Sequence, residues 1–155
     1  MSDVKVPRGL RAFVSPETLD AIAEAVRLAE SRTSGEIVVH IVRNLLPLEP
    51  SRKRAQRAFS ELGVEQTANR NGVLLLVVMK KRLFEIVADE GIDSKAKPAP
   101  WNEIASSLSE WIRKDGFAKG ICAGVEQIGQ VLAAHFPSSG ADANELPDRP
   151  SVAPE

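Results

Sequence analysis

Residues 71–101 have the sequence NGVLLLVVMKKRLFEIVADEGIDSKAKPAPW, which contains two apolar runs followed by an acidic segment. Its first apolar run, residues 73–79, is too short to span a membrane and rich in Val and Leu, which is typical of a strand covered on both faces. Two lysines then form a turn, and a second apolar run, residues 83–88, returns beside the first. The stretch therefore predicts a buried central strand with an antiparallel partner.

Composition narrows the possible classes of protein. The chain has 155 residues, of which 43% are hydrophobic and 26% are charged, so we expect a single domain with a substantial core. A net charge of −1 argues against a nucleic-acid-binding protein. Cys122 is the only cysteine, which excludes an intrachain disulfide and a Cys-rich zinc site.

No run of 18 apolar residues is present, and the first 11 residues carry several charges without an apolar segment. We therefore expect no membrane span and no secretory signal. The sequence predicts a cytoplasmic monomer.

Five further elements flank the central hairpin. Ser15 and Pro16 open the first helix, residues 36–42, which are β-branched at their apolar positions, form the first strand, and further helices cover residues 51–62, 102–114 and 117–135. The order α-β-α-β-β-α-α predicts a three-layer α/β/α sandwich, with two helices on each face of a small mixed sheet and parallel first and second strands.

Both ends of the chain, and the helix at residues 51–62, differ in composition from the rest of the predicted domain. We assign residues 1–14 to an N-terminal arm, residues 15–137 to the domain and residues 138–155 to a disordered tail, because the tail is Pro-rich and nearly lacks large apolar side chains. The basic run at residues 52–57 is interpreted as a solvated helix face, although its role stays open.

The predicted topology brings polar residues to one end of the sheet. Glu36 begins the first strand, Asn71 precedes the second, and Asp89 follows the third, where Glu90 and Asp93 add two more carboxylates. Oxygen ligands of this kind suit a hard divalent cation, so the five residues are a candidate calcium site. If they converge, their mutual repulsion predicts that Asp89→Asn raises stability in the absence of metal.

The same loop has a simpler interpretation. Asp89 to Asp93 could form a solvated turn in which Gly91 supplies a positive φ. The two interpretations stay open at the level of the sequence.

No catalytic residue is assigned. The chain lacks a C-x5-R motif, a P-loop and a G-x-S-x-G elbow, and its two histidines lie far apart. An enzymatic alternative is a metal-assisted phosphomonoesterase, in which Asp89 or Asp93 holds the ion and Arg70 and Lys95 receive the phosphate. Trp101 could then line the mouth of the pocket.

Several segments together resemble the TPM-domain family. They are TSGEIVVHIV at residues 33–42, NRNGVLLLVVMKKRLFEIVADEGI at residues 69–92, and FAKGICAGVEQIGQVLAAHFP at residues 117–137. The resemblance implies a Rossmann-like α/β/α sandwich, a calcium or other divalent-metal site as in some members, and the acid phosphatase activity attributed to a chloroplast member. Other members act in photosystem repair or as receptor accessories.

Many bacterial relatives in that family have a signal peptide and a Gly-rich tail, and this chain is more similar to the short soluble bacterial subgroup. From the residues and the resemblance together, we expect a non-catalytic module that binds a divalent cation, calcium above all, or an unidentified protein partner. The phosphomonoesterase is the alternative.

Overall fold

The computed structural model describes residues 14–96, 100–138, 148 and 150–153. Along the chain, the elements are α1 (Pro16–Glu30), β1 (Glu36–Val42), α2 (Ser51–Glu61), a 3-10 turn (Val64–Gln66), β2 (Gly72–Val78), β3 (Leu83–Ala88), α3 (Glu90–Asp93), α4 (Trp101–Asp115), α5 (Phe117–His135) and β4 (Ser151–Ala153). None of the described helices is long and apolar enough to cross a membrane.

The four strands form one mixed sheet in the order β3-β2-β1-β4. β1 and β2 are parallel, with Glu36 opposite Gly72 and Val42 opposite Val78. β3 runs antiparallel to β2, as the turn at the two lysines predicts. The α/β class, the mixed sheet and the directions of the first three strands are therefore confirmed.

Helices cover the two faces of the sheet unequally. α1, α4 and α5 pack on one face against Ile37, Val39 and Ile41 of β1, whereas α2 and the 3-10 turn cover the other face. The prediction of two helices on each face is wrong in this respect. Gly116 alone separates α4 from α5, so the two helices fold back on each other and stay on the same face.

β1 and β2 are buried along their whole length. Helices on both faces exclude water, and β1 and β2 are the two central strands, so neither has a solvated side. In addition, a Cβ on Gly72 would lie 2.6 Å from the carbonyl oxygen of Val64, which shows how closely the 3-10 turn packs on β2. Little room remains for polar chemistry in the middle of the sheet.

One polar pair is nevertheless buried under α2. Arg54 is only 1% exposed, and its Nη2 lies 3.2 Å from Nε2 of His40 on β1. The interpretation of residues 52–57 as a solvated face is therefore wrong for Arg54, because this position of α2 faces the sheet. His40 lies on the α2 side together with Val38 and Val42, as its position in the strand predicts.

The C-terminal segment contributes an unpredicted strand. Ser151–Ala153 pair in parallel with residues 40–42 of β1, so the prediction of a disordered tail is wrong for these three residues. A three-residue strand is too short to show a hydrophobic pattern, and its stability comes from the free edge of β1. Residues 139–147, 149, 154 and 155 lie outside the described residues, as do residues 1–13 of the predicted arm, whereas Val14 is buried in the core.

The predicted starts of the first two helices are confirmed, and the residues that precede them act differently. The Ser15 side chain accepts a hydrogen bond from the Thr18 N–H, as an N-cap does. At α2 the N-cap is Pro50, and Ser51 instead donates its hydroxyl to Glu85 Oε1 on β3 at 2.7 Å. Ser51 therefore ties α2 to the sheet.

Candidate functional site

Three strand ends meet at one end of the sheet, as the topology predicts. The Glu36 N–H donates to the Asn71 carbonyl at 3.3 Å, and the Asp89 N–H donates to the Gly72 carbonyl at 2.9 Å. Glu36, Gly72 and Asp89 thus occupy one row across β1, β2 and the end of β3. We call this the acidic end of the sheet.

Asp89 is a buried carboxylate with its own counter-ion. It is 5% exposed, and Arg70 donates to it in a bidentate manner, from Nε to Oδ2 at 2.8 Å and from Nη2 to Oδ1 at 2.9 Å. Oδ1 also accepts the Glu90 N–H at 2.8 Å, so the same side chain caps α3. Bidentate pairs between arginine and a carboxylate are among the strongest charge-assisted hydrogen bonds.

The backbone around Arg70 holds this ion pair in place. Arg70 has a φ of +50°, in the left-handed region that a side chain rarely adopts, and its carbonyl accepts the Gly91 N–H at 3.0 Å. A Cβ on Gly91 would lie 2.5 Å from the carbonyl oxygens of both Asn69 and Arg70. Glycine is therefore required at position 91 by close approach to these carbonyls, and not by the positive φ that the turn interpretation assumed.

Arg70 also contacts the exposed part of the acidic segment. Its Nη1 lies 3.3 Å from Oε1 of Glu90, whose side chain is 74% exposed. The hydrogen bonds to Asp89 raise the pKa of Arg70 above its ordinary value. Asp93 is exposed on the last turn of α3, so the predicted acidic loop is a short helix capped by Asp89.

Glu36 belongs to a different cluster of carboxyl groups. It is 2% exposed and hydrogen-bonded to Glu30, whose Oε2 accepts the Ile37 N–H at 2.8 Å. Burial, followed by hydrogen bonds with Asp148 and then Glu36, raises the pKa of Glu30 to about 11, although the Ile37 N–H acts in the opposite direction. The raised pKa favours the protonated form of Glu30, which can donate a hydrogen bond to a neighbouring carboxylate.

The two carboxyl groups have separate partners, Arg70 for Asp89 and Glu30 for Glu36. Adjacent strands lie about 4.8 Å apart, so the backbones of Glu36 and Asp89 are separated by about 10 Å. Gly72 lies between them, with Val64 packed directly on it.

Asn71 lies between these two groups and has a structural role. It is fully buried, its N–H donates to Thr67 Oγ1 at 3.1 Å, and its carbonyl accepts the Glu36 N–H. Its Nδ2 lies 3.4 Å from Ser34 Oγ, while its Oδ1 has no hydrogen-bond partner among the described residues. Asn71 thus links the start of β1 to the segment that precedes β2.

The residues at this end do not fit a preformed calcium site. Within the described ranges, no three His, Cys, Asp or Glu side chains are grouped so that they could hold a metal ion. The five predicted ligands lie in three places, with Glu36 at the start of β1, Asn71 before β2 and the other three at α3. At α3, both oxygens of Asp89 already accept hydrogen bonds from Arg70 or from the Glu90 N–H.

The predicted phosphate ligands do not form a common site either. Arg70 is paired with Asp89, and the Nζ of Lys95 lies 4.5 Å from the centre of the Phe136 ring. Trp101 is 8% exposed and packs in the core under α4, so it does not line a pocket mouth. The three residues have separate structural roles.

Two residues of the acidic end were missed by the sequence reasoning. Glu30 is the last residue of α1 and lies on the polar side of its amphipathic pattern. Nothing in that pattern indicates that the Glu30 side chain contacts β1. Asp148 lies in a Pro-rich segment without periodicity. Only the pairing of β4 with β1 brings Asp148 to this place.

Comparisons with known proteins give a family and several similar structures. Residues 10–131 match the family model TPM_phosphatase, described as the TPM domain. The chain is 31% identical to the BA42 protein of the psychrophilic bacterium Bizionia argentinensis, with a TM-score of 0.83 over 93% of this chain and 98% of that one.

Two more distant structures show the fold alone. The N-terminal domain of a P. gingivalis protein is 19% identical, with a TM-score of 0.57 over 88% of this chain and 96% of that one. The N-terminal domain of the cg2496 protein of Corynebacterium glutamicum is 12% identical, with a TM-score of 0.60 over 100% of this chain and 93% of that one. No curated protein matches the chain.

The sequence predicts that Asp89→Asn raises stability in the absence of metal, and the Arg70–Asp89 pair predicts the opposite change. We predict that Asp89→Asn lowers the free energy of unfolding by about 1–3 kcal/mol without any metal, because Arg70 loses its charged acceptor. Urea unfolding of the metal-free protein measures this change. Glu110→Gln, which breaks the exposed pair of Glu110 with Arg113, is the matched control and should change stability by less than about 0.5 kcal/mol. A more stable Asp89→Asn variant would restore the repulsion account.

The buried Glu30 predicts a dependence of stability on pH. The pKa of an unperturbed glutamate is 4.5 and that of Glu30 in the folded chain is about 11, so its contribution is complete below pH 4.5 and is lost as the pH rises towards 11. Glu30→Gln keeps an acceptor for the Ile37 N–H and does not titrate. We expect the thermal midpoint of this variant to exceed that of the parent by a margin that grows between pH 5 and about pH 9.

The control for this prediction is Glu24→Gln, on the exposed side of the same helix, whose thermal midpoint should differ from that of the parent by a constant amount between pH 5 and about pH 9. Parallel curves for Glu30→Gln and the parent would mean that Glu30 is ionised in the folded protein.

Proposed function

This chain belongs to the TPM domain family, and we propose that it acts as a non-catalytic, cytoplasmic interaction module that receives an amphipathic helix of a partner protein. The proposed docking surface is the groove between α1 and α5. The observation that carries the proposal is that this groove is open, apolar and lined by small side chains.

The groove is about 450 Å³ in volume and lies on the outer side of the two helices. α1 and α5 come close together, since a Cβ on Gly129 would lie 2.7 Å from the Cβ of Ala29. Leu28 stands at its side with 48% of its surface exposed. The small residues on its floor are Ala21, Ala25, Ala29, Ala118, Cys122, Ala123, Gly129 and Ala133.

A helix is the partner element that fits this shape. The lining positions on α5 extend from Ala118 to Ala133, about 22 Å at the helical rise, which matches about four turns of a partner helix. Alanine and glycine leave room for large apolar side chains at the i, i+3, i+4 and i+7 positions of such a helix. Arg32, Lys119 and Glu126 supply charges of both signs around the apolar floor.

A binding role is favoured over the phosphomonoesterase by the surroundings of the two predicted phosphate ligands. Arg70 contacts Asp89 and Glu90, while Lys95 contacts Phe136, so neither is directed into a shared pocket. Phosphoryl transfer depends on positioned cationic groups around one reacting phosphate. No observation on the described residues favours this second function.

The divalent cation predicted from the sequence stays a prediction. Any ion that binds Asp89 has to displace the Arg70 guanidinium first, at the expense of a bidentate contact. We therefore propose that calcium binds weakly at this end, at about 1 mM or above, as in the weakest extracellular calcium modules. The interaction at the α1–α5 groove does not require the ion.

A photo-crosslinking residue placed at Leu28 tests the groove in cells that produce the protein. We expect Leu28 to crosslink a partner segment that forms an amphipathic helix, because Leu28 borders the groove. Ala133→Arg should abolish this crosslink by placing a charge on the apolar floor. The same crosslinker at Ser106 on the exposed side of α4, and the variant Ser106→Arg, are the matched controls.

Three results would contradict the proposal. In the first, Leu28 gives no more crosslinked product than Ser106. In the second, the product persists in Ala133→Arg while circular dichroism shows an intact fold. In the third, the captured chain is a second copy of this protein, whereas we expect the purified protein alone to sediment as a monomer.

A further inference from the structure

A second cavity lies at the opposite end of the sheet from Asp89. It has a volume of about 620 Å³ and opens where β2 ends, beside the turn into β3 and the C-terminal part of α4. Its apolar wall consists of Val77, Val78, Met79, Phe84, Ile112 and Phe117. This volume is within the range of sites that bind small organic molecules, about 300–1,000 Å³.

The charged residues around this cavity all have the same sign. Lys80, Arg82 and Arg113 line it, and no Asp or Glu is among its lining residues. Arg113 is paired with Glu110 at 2.5 Å, whereas Lys80 and Arg82 are exposed and form no ion pair with any residue that the structure describes. Two cationic side chains are therefore available at the border of an apolar cavity.

We propose that this cavity binds a free amphipathic anion, namely an acyl chain of medium length that carries one carboxylate. The apolar chain lies against Phe84 and Phe117, where it removes apolar surface from water. The carboxylate lies at the border and accepts charge-assisted hydrogen bonds from Lys80 and Arg82. This site is separate from the α1–α5 groove and does not depend on the proposed docking of a helix.

The charges distinguish this ligand from other occupants of an apolar cavity. A cation is disfavoured by Lys80 and Arg82, and a neutral chain leaves these two side chains without an anionic partner. The α1–α5 groove differs because Glu126 lines it together with two cations. It is therefore the natural control surface on the same molecule.

The experiment is a titration of the full-length chain, labelled with ¹⁵N, with sodium decanoate below its micelle concentration, followed by amide chemical shifts. We expect saturable shifts at Met79, Phe84 and Phe117, and no comparable shifts with 1-decanol or decyltrimethylammonium. The double variant Lys80→Gln, Arg82→Gln should weaken decanoate binding by about tenfold or more. Lys119→Gln, in the other groove, should leave it unchanged.

The proposal is overturned if 1-decanol binds as tightly as decanoate, because the head group would then contribute nothing. It is also overturned if the double variant binds decanoate like the parent, or if the shifts map to α1 and α5. Both substitutions lie on exposed side chains, and an unchanged thermal midpoint of the double variant establishes that any loss of binding is not a loss of fold.

Discussion

The burial of β1 and β2 on both faces determines where the other elements and the polar side chains of this fold can lie. The fourteen residues of these two parallel strands are buried, because α1, α4 and α5 cover one face of the sheet and α2 covers the other. Apart from the Arg54–His40 pair under α2, the polar groups described above lie at the ends of the sheet, at its edges and on the outer sides of the helices. The acidic end, the basic cavity and the α1–α5 groove occupy three such places.

At the acidic end, the charge of a buried carboxylate is balanced by a side chain of the same protein. Asp89 is out of water, and the positive charge that it requires comes from Arg70, whose left-handed backbone and carbonyl contact with Gly91 fix its position. The pair also caps α3, so one interaction joins the start of β2 to the segment after β3. A divalent cation competes with this arrangement and does not complete it.

The sequence predicts the core of this fold because long apolar and β-branched runs allow few alternatives. The parallel pairing of β1 with β2 and the meeting of Glu36, Asn71 and Asp89 follow from that pattern. Arg70 could also have been paired with Asp89, since an antiparallel hairpin places the residues before β2 beside those after β3. β4 and the contacts of Glu30 could not be predicted, because neither a three-residue strand nor a single side chain produces a periodic pattern in the sequence. The unequal covering of the sheet depends on the single residue between α4 and α5, which sequence order alone does not reveal.

Arg70 occupies the place of a cation at Asp89, and a calcium titration of three proteins tests whether its removal opens the site to the ion. Amide shifts of residues 89–93 are followed in the parent and in Arg70→Gln, with Arg113→Gln as a control for the loss of an exposed arginine. We expect weak binding in the parent, with half-saturation at about 1 mM or above, and clearly tighter binding in Arg70→Gln alone. Tight calcium binding by the parent, or equal affinities in all three proteins, would contradict this expectation.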